Sequence, residues 1–408
     1  MPFAARFSVK APFLSILLLA LIGSGVAPQT TAWGQTPGLT PEEIEDGWIS
    51  LFDGETLFGW KAMAKNDWKV VDGTIQVTSG DVGLLCTTTQ FADFDLKVDF
   101  KADKDTNSGI FLRSSPKPKS PSYDCYELNI APPSNSFPTG SLVAREKVTP
   151  ECEPGEWHTF EVRCQGPLIE VKLDGEVVST LEDRDYLGKG FIGLQHNGGK
   201  VQFRNIALKP LGLKSIFNGK DLSGWKSYPE YATKFSVTEE GEIHAENGPG
   251  QLETEGVYAN FVLQMDAKTN AENLNSGLFF RSIPGEKMNG YESQIHNGIE
   301  GDDPTKPLDS GTGAIFRRCV ARKVVSKDKE WLTKTLIAEG AHISVWVNGY
   351  QVTDWTDDRK PDANPRKGQR LEAGTIILQG HDPTTDVLFK NFEIQELPER
   401  WPLNRVSE

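Results

Sequence analysis

Short runs of alternating apolar and polar residues recur along the chain, and they predict a protein built from β-strands. Residues 94–100 alternate cleanly, and the same alternation is found in residues 169–173 and 343–347. The last two runs are followed by Asp-Gly or Asn-Gly, the strongest short signal for a β-hairpin turn. No long segment keeps a helical period. The pattern therefore predicts an all-β fold of packed antiparallel sheets.

The chain contains one ordered series of motifs twice. The matching segments are 51–54 with 216–219, 59–61 with 224–226, 107–114 with 275–282, 126–127 with 291–292, 139–141 with 312–314, 156–157 with 330–331, 173–175 with 347–349, 194–195 with 378–379 and 203–206 with 389–392. Self-similarity in a fixed order indicates tandem copies of one domain. We predict a signal segment at 1–34, copy one at 45–211 and copy two at 212–397.

Composition and charge narrow the class of protein and its partners. The chain has 408 residues, 25% of them charged and 38% hydrophobic, with a net charge of −14. These fractions are typical of a globular protein and argue against wholesale disorder. An acidic surface repels phosphate backbones, so no nucleic-acid partner is expected. A neutral carbohydrate or glycoside stays compatible with this charge.

The first residues have the pattern of an export signal. Arg6 and Lys10 precede the apolar run 13–22, which is too short to span a bilayer comfortably, and small residues follow it. An uncleaved N-terminal anchor is the alternative. No later segment approaches about 18 consecutive apolar residues. We therefore expect an exported protein, periplasmic or secreted, without a stable membrane span after signal removal. The sequence does not predict its oligomeric state.

Five cysteines remain after residue 34, and four of them lie in copy one. They are Cys86, Cys125, Cys152 and Cys164, followed by Cys319 in copy two. An oxidising compartment would permit disulfides among the first four, in three pairings between which the sequence does not choose. No CxxC pair is present, so neither a zinc ribbon nor a redox motif is predicted. Cys319 is expected to be buried and inert.

The ordered motifs resemble the 3-keto-disaccharide hydrolase domain. They include Asn-Ser-Gly at 107–109 and 275–277, Tyr-Glu at 126–127 and 291–292, and Leu-Gln at 194–195 and 378–379. The resemblance covers nearly all of residues 47–397, once per copy. It implies a concanavalin A-like (lectin/glucanase) jelly-roll sandwich in each copy, export in bacteria, and action on glycosides oxidised at C3 of the sugar.

Strand alternation places polar side chains of copy two on shared faces. Residues two apart on a strand project to the same side, so Glu292, Gln294 and His296 share one face. Gln379 and His381 share another face on a later motif. Such polar faces predict a concave sugar groove; a solvated outer sheet is the alternative.

Two arginines and one aspartate complete the predicted groove. Arg281 stands on a motif strand of copy two, and Arg113 holds the matching place in copy one. The alternative for these arginines is a structural ion pair with Glu292 and Glu127. Asp266 lies late in its strand, where it lines the same groove or solvates an edge.

Copy one departs from the pattern of copy two at both imidazoles. The face of Glu127 continues to Asn129, so no histidine stands where His296 does. His196 follows Gln195 directly and falls on the opposite face, unless a bulge changes the alternation. We therefore predict that copy two carries the chemistry and that copy one is degenerate, binds sugar, or completes a shared groove.

A ketone at C3 of a sugar acidifies the hydrogen at C2, so the implied reaction needs a base, an acid and a cationic group beside the enolate. The catalytic residues predicted are Glu292, His296, Arg281 and His381. The substrate-binding residues predicted are Gln294, Gln379, Asp266, Arg113, Glu127 and Gln195. The base removes the C2 hydrogen, the C1 substituent leaves, and water adds.

Three alternatives stay open on the sequence alone. A divalent metal held by Glu292, His296 and His381 is possible in chemical terms, although no compact motif such as HExxH is present. No glycine-rich fingerprint for a nucleotide cofactor is present either. A non-catalytic lectin-like protein is the main alternative to a hydrolase, and an adhesion module using two copies for avidity is the weaker one.

Overall fold

Two β-sandwiches of the same topology follow one another along the chain. The computed structural model describes Met1, residues 36–184 and residues 186–398. The predicted signal at 1–34 lies outside these residues, apart from Met1. In the described part, helix is limited to α1 (Pro41–Glu45) and a 3-10 turn at Leu308–Ser310. None of the helices described is long and apolar enough to cross a bilayer.

The first repeat contains thirteen strands. They are β1 (Ile49–Ser50), β2 (Trp60–Ala62), β3 (Lys69–Val71), β4 (Thr74–Val77), β5 (Gly83–Phe91), β6 (Phe94–Ala102), β7 (Ser108–Ser114), β8 (Tyr126–Ile130), β9 (His158–Gln165), β10 (Leu168–Leu173), β11 (Glu176–Glu182), β12 (Gly190–His196) and β13 (Val201–Pro210). Its large sheet has eight strands in the order β11-β10-β9-β6-β13-β4-β3, with β1 added beside β13. Its small sheet has five strands in the order β2-β5-β12-β7-β8.

The second repeat follows the same plan with one added hairpin. Its strands are β14 (Lys214–Ser215), β15 (Trp225–Ser227), β16 (Lys234–Val237), β17 (Ile243–Glu246), β18 (Gly250–Thr254), β19 (Phe261–Thr269), β20 (Ser276–Ser282), β21 (Tyr291–Ile295), β22 (Ile299–Glu300), β23 (Asp303–Pro307), β24 (Leu332–Glu339), β25 (His342–Val347), β26 (Tyr350–Thr356), β27 (Thr375–Gly380) and β28 (Asp386–Glu396). The large sheet has the order β16-β17-β28-β19-β24-β25-β26, with β14 beside β28, and the small sheet has the order β15-β18-β27-β20-β21. Strands β22 and β23 form the extra hairpin.

The alternation in the sequence corresponds to burial in the fold. On β6, Phe94, Leu96, Val98 and Phe100 are buried, while the residues between them are partly exposed. Successive side chains of a strand point to opposite faces, so the apolar set of each strand packs between the two sheets. The prediction of two tandem all-β jelly-roll sandwiches is confirmed.

The two sandwiches share a packed interface. The indole of Trp346, on β25 of the second repeat, is 1% exposed and belongs to the apolar core of the first repeat. Its Nε1 donates a hydrogen bond to the backbone oxygen of Ser50 at 2.9 Å. Nearby, Arg322 forms an ion pair with Asp53 at 2.8 Å. The second repeat therefore completes part of the core of the first.

No disulfide joins any two of the five cysteines in the described part of the chain, so none of the three possible pairings is formed. Cys86 and Cys164 are fully buried, and burial raises the pKa of each thiol to about 12. Cys319 is only half-buried, and burial raises its pKa as well. A raised pKa keeps a thiol protonated and weakly nucleophilic.

The role of Trp346 can be measured by truncation. We expect Trp346→Ala to lower the free energy of unfolding by about 3–5 kcal/mol, since a buried indole is replaced by a cavity. The control is Trp331→Ala, which removes a half-buried indole of the same repeat and should cost about 1 kcal/mol. Chemical denaturation measures both values, and equal losses would contradict the proposed sharing of the core.

Candidate functional site

The small sheet of the second repeat carries a polar face on three neighbouring strands. On β21, Glu292 lies opposite Phe279 of β20, and Gln294 lies opposite Gly277. Gln379 lies on β27, the next strand of the same sheet. Leu278 and Leu378 belong to the buried core, one residue along from these positions. The structure thus brings together three of the predicted site residues, Glu292, Gln294 and Gln379.

Gly277 lies at the centre of this polar face, where a side chain would collide with its neighbours. A Cβ atom at this position would lie 2.8 Å from Oε1 of Glu292 and 3.3 Å from Oε1 of Gln379. The first distance is shorter than real contacts of a Cβ atom. A side chain at this position would displace the carboxyl group of Glu292, so glycine allows the two polar groups to approach the backbone closely.

Glu292 is a buried carboxyl group with an altered affinity for protons. The residue is 9% exposed. Within the described residues, its carboxylate accepts no hydrogen bond. Burial raises its pKa to about 7, although the positive charges of Arg366, His381 and Lys334 act in the opposite direction. A carboxyl group whose pKa lies near neutrality can act as a general base or a general acid.

A buried lysine lies behind the strand that carries Glu292. Lys334, on β24 of the large sheet, has no exposed surface, and its Nζ donates to the backbone oxygens of Ser293 at 3.2 Å and Gln294 at 3.0 Å. Burial lowers its pKa to about 7. The strand register places Phe160 at the equivalent position of the first repeat. This lysine therefore distinguishes the strand that carries Glu292 from its counterpart in the first repeat.

Sequence reasoning did not find Lys334, although a signal was present. The residue alternates in phase with Leu332 and Leu336, which are both buried. A lysine at an inward-facing position of a strand is rare because burial of its charge is costly. Such a position marks a candidate functional residue.

Arg366 supplies the positive charge at the open side of the polar face. Its Cζ lies 5.7 Å from the ring centroid of Phe279, a distance typical of a cation–π contact. Its Nη2 donates to the backbone oxygen of Met288 at 2.6 Å, which holds the guanidinium in place. Arg366 lies on the irregular segment between β26 and β27, so strand alternation could not have predicted its position.

Arg281 does not lie with Glu292, contrary to the sequence-based expectation. Its guanidinium is fully buried and donates to the backbone oxygens of Ala259 at 2.8 Å and Gly340 at 2.7 Å. The residue has φ of +47°, and the pairing of β20 with β27 shifts register between residues 279 and 282. This bulge interrupts the alternation on which the expectation relied.

The two predicted histidines occupy different environments. His381 lies at the end of β27, is exposed, and places its Nδ1 2.8 Å from Oδ2 of Asp382. Its charge lowers the pKa of Glu292, so it lies within electrostatic range of that carboxyl group. His296 directly follows β21 and is half-buried, and its Nδ1 accepts a hydrogen bond from the backbone of Gly298 at 3.3 Å.

The set Glu292, His296 and His381 does not gather as metal ligands do. Across the described residues, no three His, Cys, Asp or Glu side chains are close enough to hold one metal ion. We therefore assign no metal ligands in this face.

Asp266 belongs to a different surface of the second repeat. It lies on β19 of the large sheet, and its carboxylate accepts hydrogen bonds from Thr333 at 2.9 Å and Asn391 at 2.7 Å. Burial raises its pKa. The structure therefore does not place Asp266 on the polar face of the small sheet.

The first repeat keeps only part of the polar face. Gln195 donates to Oε1 of Glu127 at 3.1 Å, so these two predicted residues do meet. Arg113 instead pairs with Asp93 at 2.6 Å and is fully buried, which excludes the predicted alternative of a pair with Glu127. Where the second repeat has Gln251 and Glu253 on β18, the first has Leu84 and Cys86 on β5.

Two buried oxygens on the polar face of the second repeat have no hydrogen-bond partner among the described residues. They are Oε1 of Gln294 and Oε1 of Gln379. Nε2 of Gln294 donates to Oδ2 of Asp309 at 2.9 Å, which fixes the orientation of that amide. Unpaired buried acceptors are costly, and a ligand with hydroxyl groups would satisfy them.

Comparison with known proteins identifies the family of this chain. A family model described as the 3-keto-alpha-glucoside-1,2-lyase-like domain matches residues 47–209 and again residues 212–395. The chain belongs to this family. The resemblance predicted from the repeated motifs is thus confirmed, and both repeats are members of the family.

Individual relatives are distant in sequence. The 3-keto-disaccharide hydrolase of Bacteroides thetaiotaomicron is 26% identical over a match covering 41% of this chain and 79% of the relative. A solved structure described as a glycosyl hydrolase from Parabacteroides distasonis is 27% identical, covers 43% of this chain and 98% of its own, and has a TM-score of 0.38. A carbohydrate binding module from Bacillus subtilis is 15% identical, covers 37% and 95%, and has a TM-score of 0.31.

The raised pKa of Glu292 predicts a specific dependence of stability on pH. Since the folded protein holds this proton up to about pH 7 and the unfolded chain only to about 4.5, stability falls as pH rises through that window. Relative to Glu292→Gln, the wild type should lose about 3 kcal/mol of unfolding free energy across it. Denaturation curves at several pH values measure the difference.

The exposed Glu240 provides the control for this experiment. The free energy of unfolding of Glu240→Gln should vary with pH as that of the wild type does. If the free energy of unfolding of Glu292→Gln also has the pH dependence of the wild type, the carboxyl group of Glu292 is not protonated in the folded protein near neutrality.

Proposed function

We propose that the second repeat cleaves 3-keto-glycosides or 3-keto-disaccharides by elimination and hydration. Family membership supports the substrate class, because the relative from Bacteroides thetaiotaomicron carries the name 3-keto-disaccharide hydrolase. One structural observation carries the proposal for this chain. Glu292 is buried without a hydrogen-bond donor, has a pKa of about 7, and lies beside unpaired amide oxygens.

The first step is removal of the C2 hydrogen by the Glu292 carboxylate. The C3 ketone accepts the electron pair, so an enediolate with negative charge on the C3 oxygen forms. Arg366, whose guanidinium lies over the ring of Phe279 opposite Glu292, would stabilise that charge. In this proposal it takes the role that the sequence assigned to Arg281.

The second step is departure of the C1 substituent. The electron pair of the enediolate forms a C1–C2 double bond, the C1–O bond breaks, and the leaving oxygen takes a proton. His381 suits this role because its ring is exposed and its Nδ1 lies 2.8 Å from Oδ2 of Asp382, which orients the imidazole. Water then adds at C1 and gives a proton back to His381, while the proton on Glu292 returns to C2. The net reaction is hydrolysis, and both residues regain their starting protonation.

The structure disfavours the mechanism of glycosidases that use two carboxyl groups. That mechanism needs a second acid free to react, about 5–9 Å from the first. Glu253 lies on the same small sheet, but its carboxylate accepts hydrogen bonds from Tyr228, from Thr375 at 2.6 Å, and from the backbone of Gly285 at 3.1 Å. We assign Glu253 to the support of these segments rather than to proton transfer.

We further propose that the protein acts outside the cytoplasm, on the basis of residues 1–34. The charged start at Arg6 and Lys10 followed by the apolar run supports this proposal. Fractionation of cells that express the full chain would test it.

The role of Glu292 can be tested on a 3-keto-glucoside with a chromogenic aglycone. We expect Glu292→Gln to lower kcat by about 10²–10⁴, the usual contribution of a general base. The matched variant Glu127→Gln locates the chemistry, since equal loss in that variant would move it to the first repeat. A wild type that binds this compound without releasing the aglycone would instead establish a lectin-like protein.

Lys334 is proposed as a positioning residue that acts through β21, and the pH profile tests this role. Because the base must be ionised, kcat/KM should rise with pH through about 7. Lys334→Met removes a positive charge that lowers the pKa of Glu292, so the rising limb of the kcat/KM profile should move to higher pH. The matched control is Phe160→Met in the first repeat, which should leave the limb in place. A loss of activity in Lys334→Met without any shift would indicate a purely structural role.

A further inference from the structure

The small sheet of the first repeat lines a cavity of about 410 Å³. This volume falls within the range of about 300–1,000 Å³ that is usual for small-molecule sites. Its walls are mostly apolar; they include Met63, Val82, Leu84, Phe111 and prolines of the segment 116–121. Its floor contains the hydrogen-bonded pair Glu127 and Gln195.

Oε1 of Gln195 is a buried hydrogen-bond acceptor at the floor of this cavity. Nε2 of Gln195 donates to Glu127 at 3.1 Å, which fixes the amide and leaves Oε1 for another partner. Oε1 of Gln195 is buried and has no partner among the described residues. The side chain itself is 7% exposed. A ligand that donates one hydrogen bond at this point would satisfy the oxygen.

The walls of the cavity do not suit a sugar. Leu84 lines the cavity where the second repeat has the polar Gln251, and the lining residue Phe111 stands where it has Phe279. A pyranose carries several hydroxyl groups, each of which needs a partner when buried. An apolar, planar body avoids this cost and can pack against the ring of Phe111.

The wall formed by the segment 116–121 is held in position without a ligand. The carboxylate of Asp124 accepts hydrogen bonds from the backbone N–H groups of Lys119 at 2.6 Å and Ser120 at 3.0 Å. The side chains of Lys117 and Lys119 add positive charge beside the cavity. A preformed wall lowers the entropy cost of binding, and the positive charge favours an acidic hydroxyl group over an aliphatic one.

The geometry points to a binding site for a phenolic compound in the first repeat, with the aromatic body between Leu84, Phe111 and the proline segment. Its hydroxyl group donates to Oε1 of Gln195. This site is separate from the polar face of the second repeat, and the inference does not rest on turnover there.

Titration of the full chain with 2-naphthol, followed by the fluorescence of the ligand, tests this site. We expect saturable binding of one molecule per chain. The analogue 2-methoxynaphthalene has the same rings but no hydroxyl donor, so it should bind about tenfold more weakly. Absence of saturable binding by 2-naphthol, or equal binding of both compounds, would overturn the inference.

Two variants of the first repeat locate the bound molecule. Val82→Trp changes a side chain that is 65% exposed at the rim, so it blocks the cavity without disturbing the core, and it should abolish binding. Gln195→Leu removes the acceptor and should weaken binding about tenfold. The matched change Gln379→Leu in the second repeat should leave binding unchanged. Binding that survives either first-repeat change at full strength, in a variant whose unfolding curve matches the wild type, rejects the site.

Discussion

The pleat of the β-strand is the constraint on which both sandwiches depend. Because successive side chains point to opposite faces, each strand of a small sheet must contribute one set to the core and one set to the outer face. On β20 and β21 the core set contains Leu278 and Ile295, and the outer set contains Phe279 and Glu292. Reactive groups can change on the outer face while the core set stays apolar, so one fold supports two different surfaces.

The two repeats show this separation directly. Their sheet orders correspond strand by strand, yet the outer face of the first repeat keeps only Glu127 and Gln195 of the polar set and is otherwise largely apolar. One difference lies in the core, where Lys334 stands beneath the strand that carries Glu292 and the first repeat has the apolar Phe160. A buried ammonium group is costly unless the backbone oxygens it contacts compensate for lost water. Its presence in one repeat only agrees with a function confined to that repeat.

Local patterns in the sequence were sufficient for the fold and for part of the site. The alternation and the repeated motifs predicted both sandwiches. The rule that residues two apart on a strand share a face grouped Glu292 with Gln294. The same rule gave the wrong face for Arg281, because a bulge with positive φ redirects its side chain. It could not reach Arg366 or Lys334, because their proximity to Glu292 depends on the long segment after β26 and on the spacing between two sheets. Tertiary placement of that kind leaves little signal in one sequence.

The position of Trp346 has a consequence for the order in which the protein folds. During synthesis the first repeat is complete well before residue 346 has been made, so its core then lacks the indole that later fills it. Apolar surface of the first repeat stays exposed until strand β25 has been synthesised and packs against it. Exposed apolar surface of this kind favours aggregation or chaperone binding. The N-terminal half is thus a dependent folding unit, and a chain truncated after the first repeat would retain that open surface.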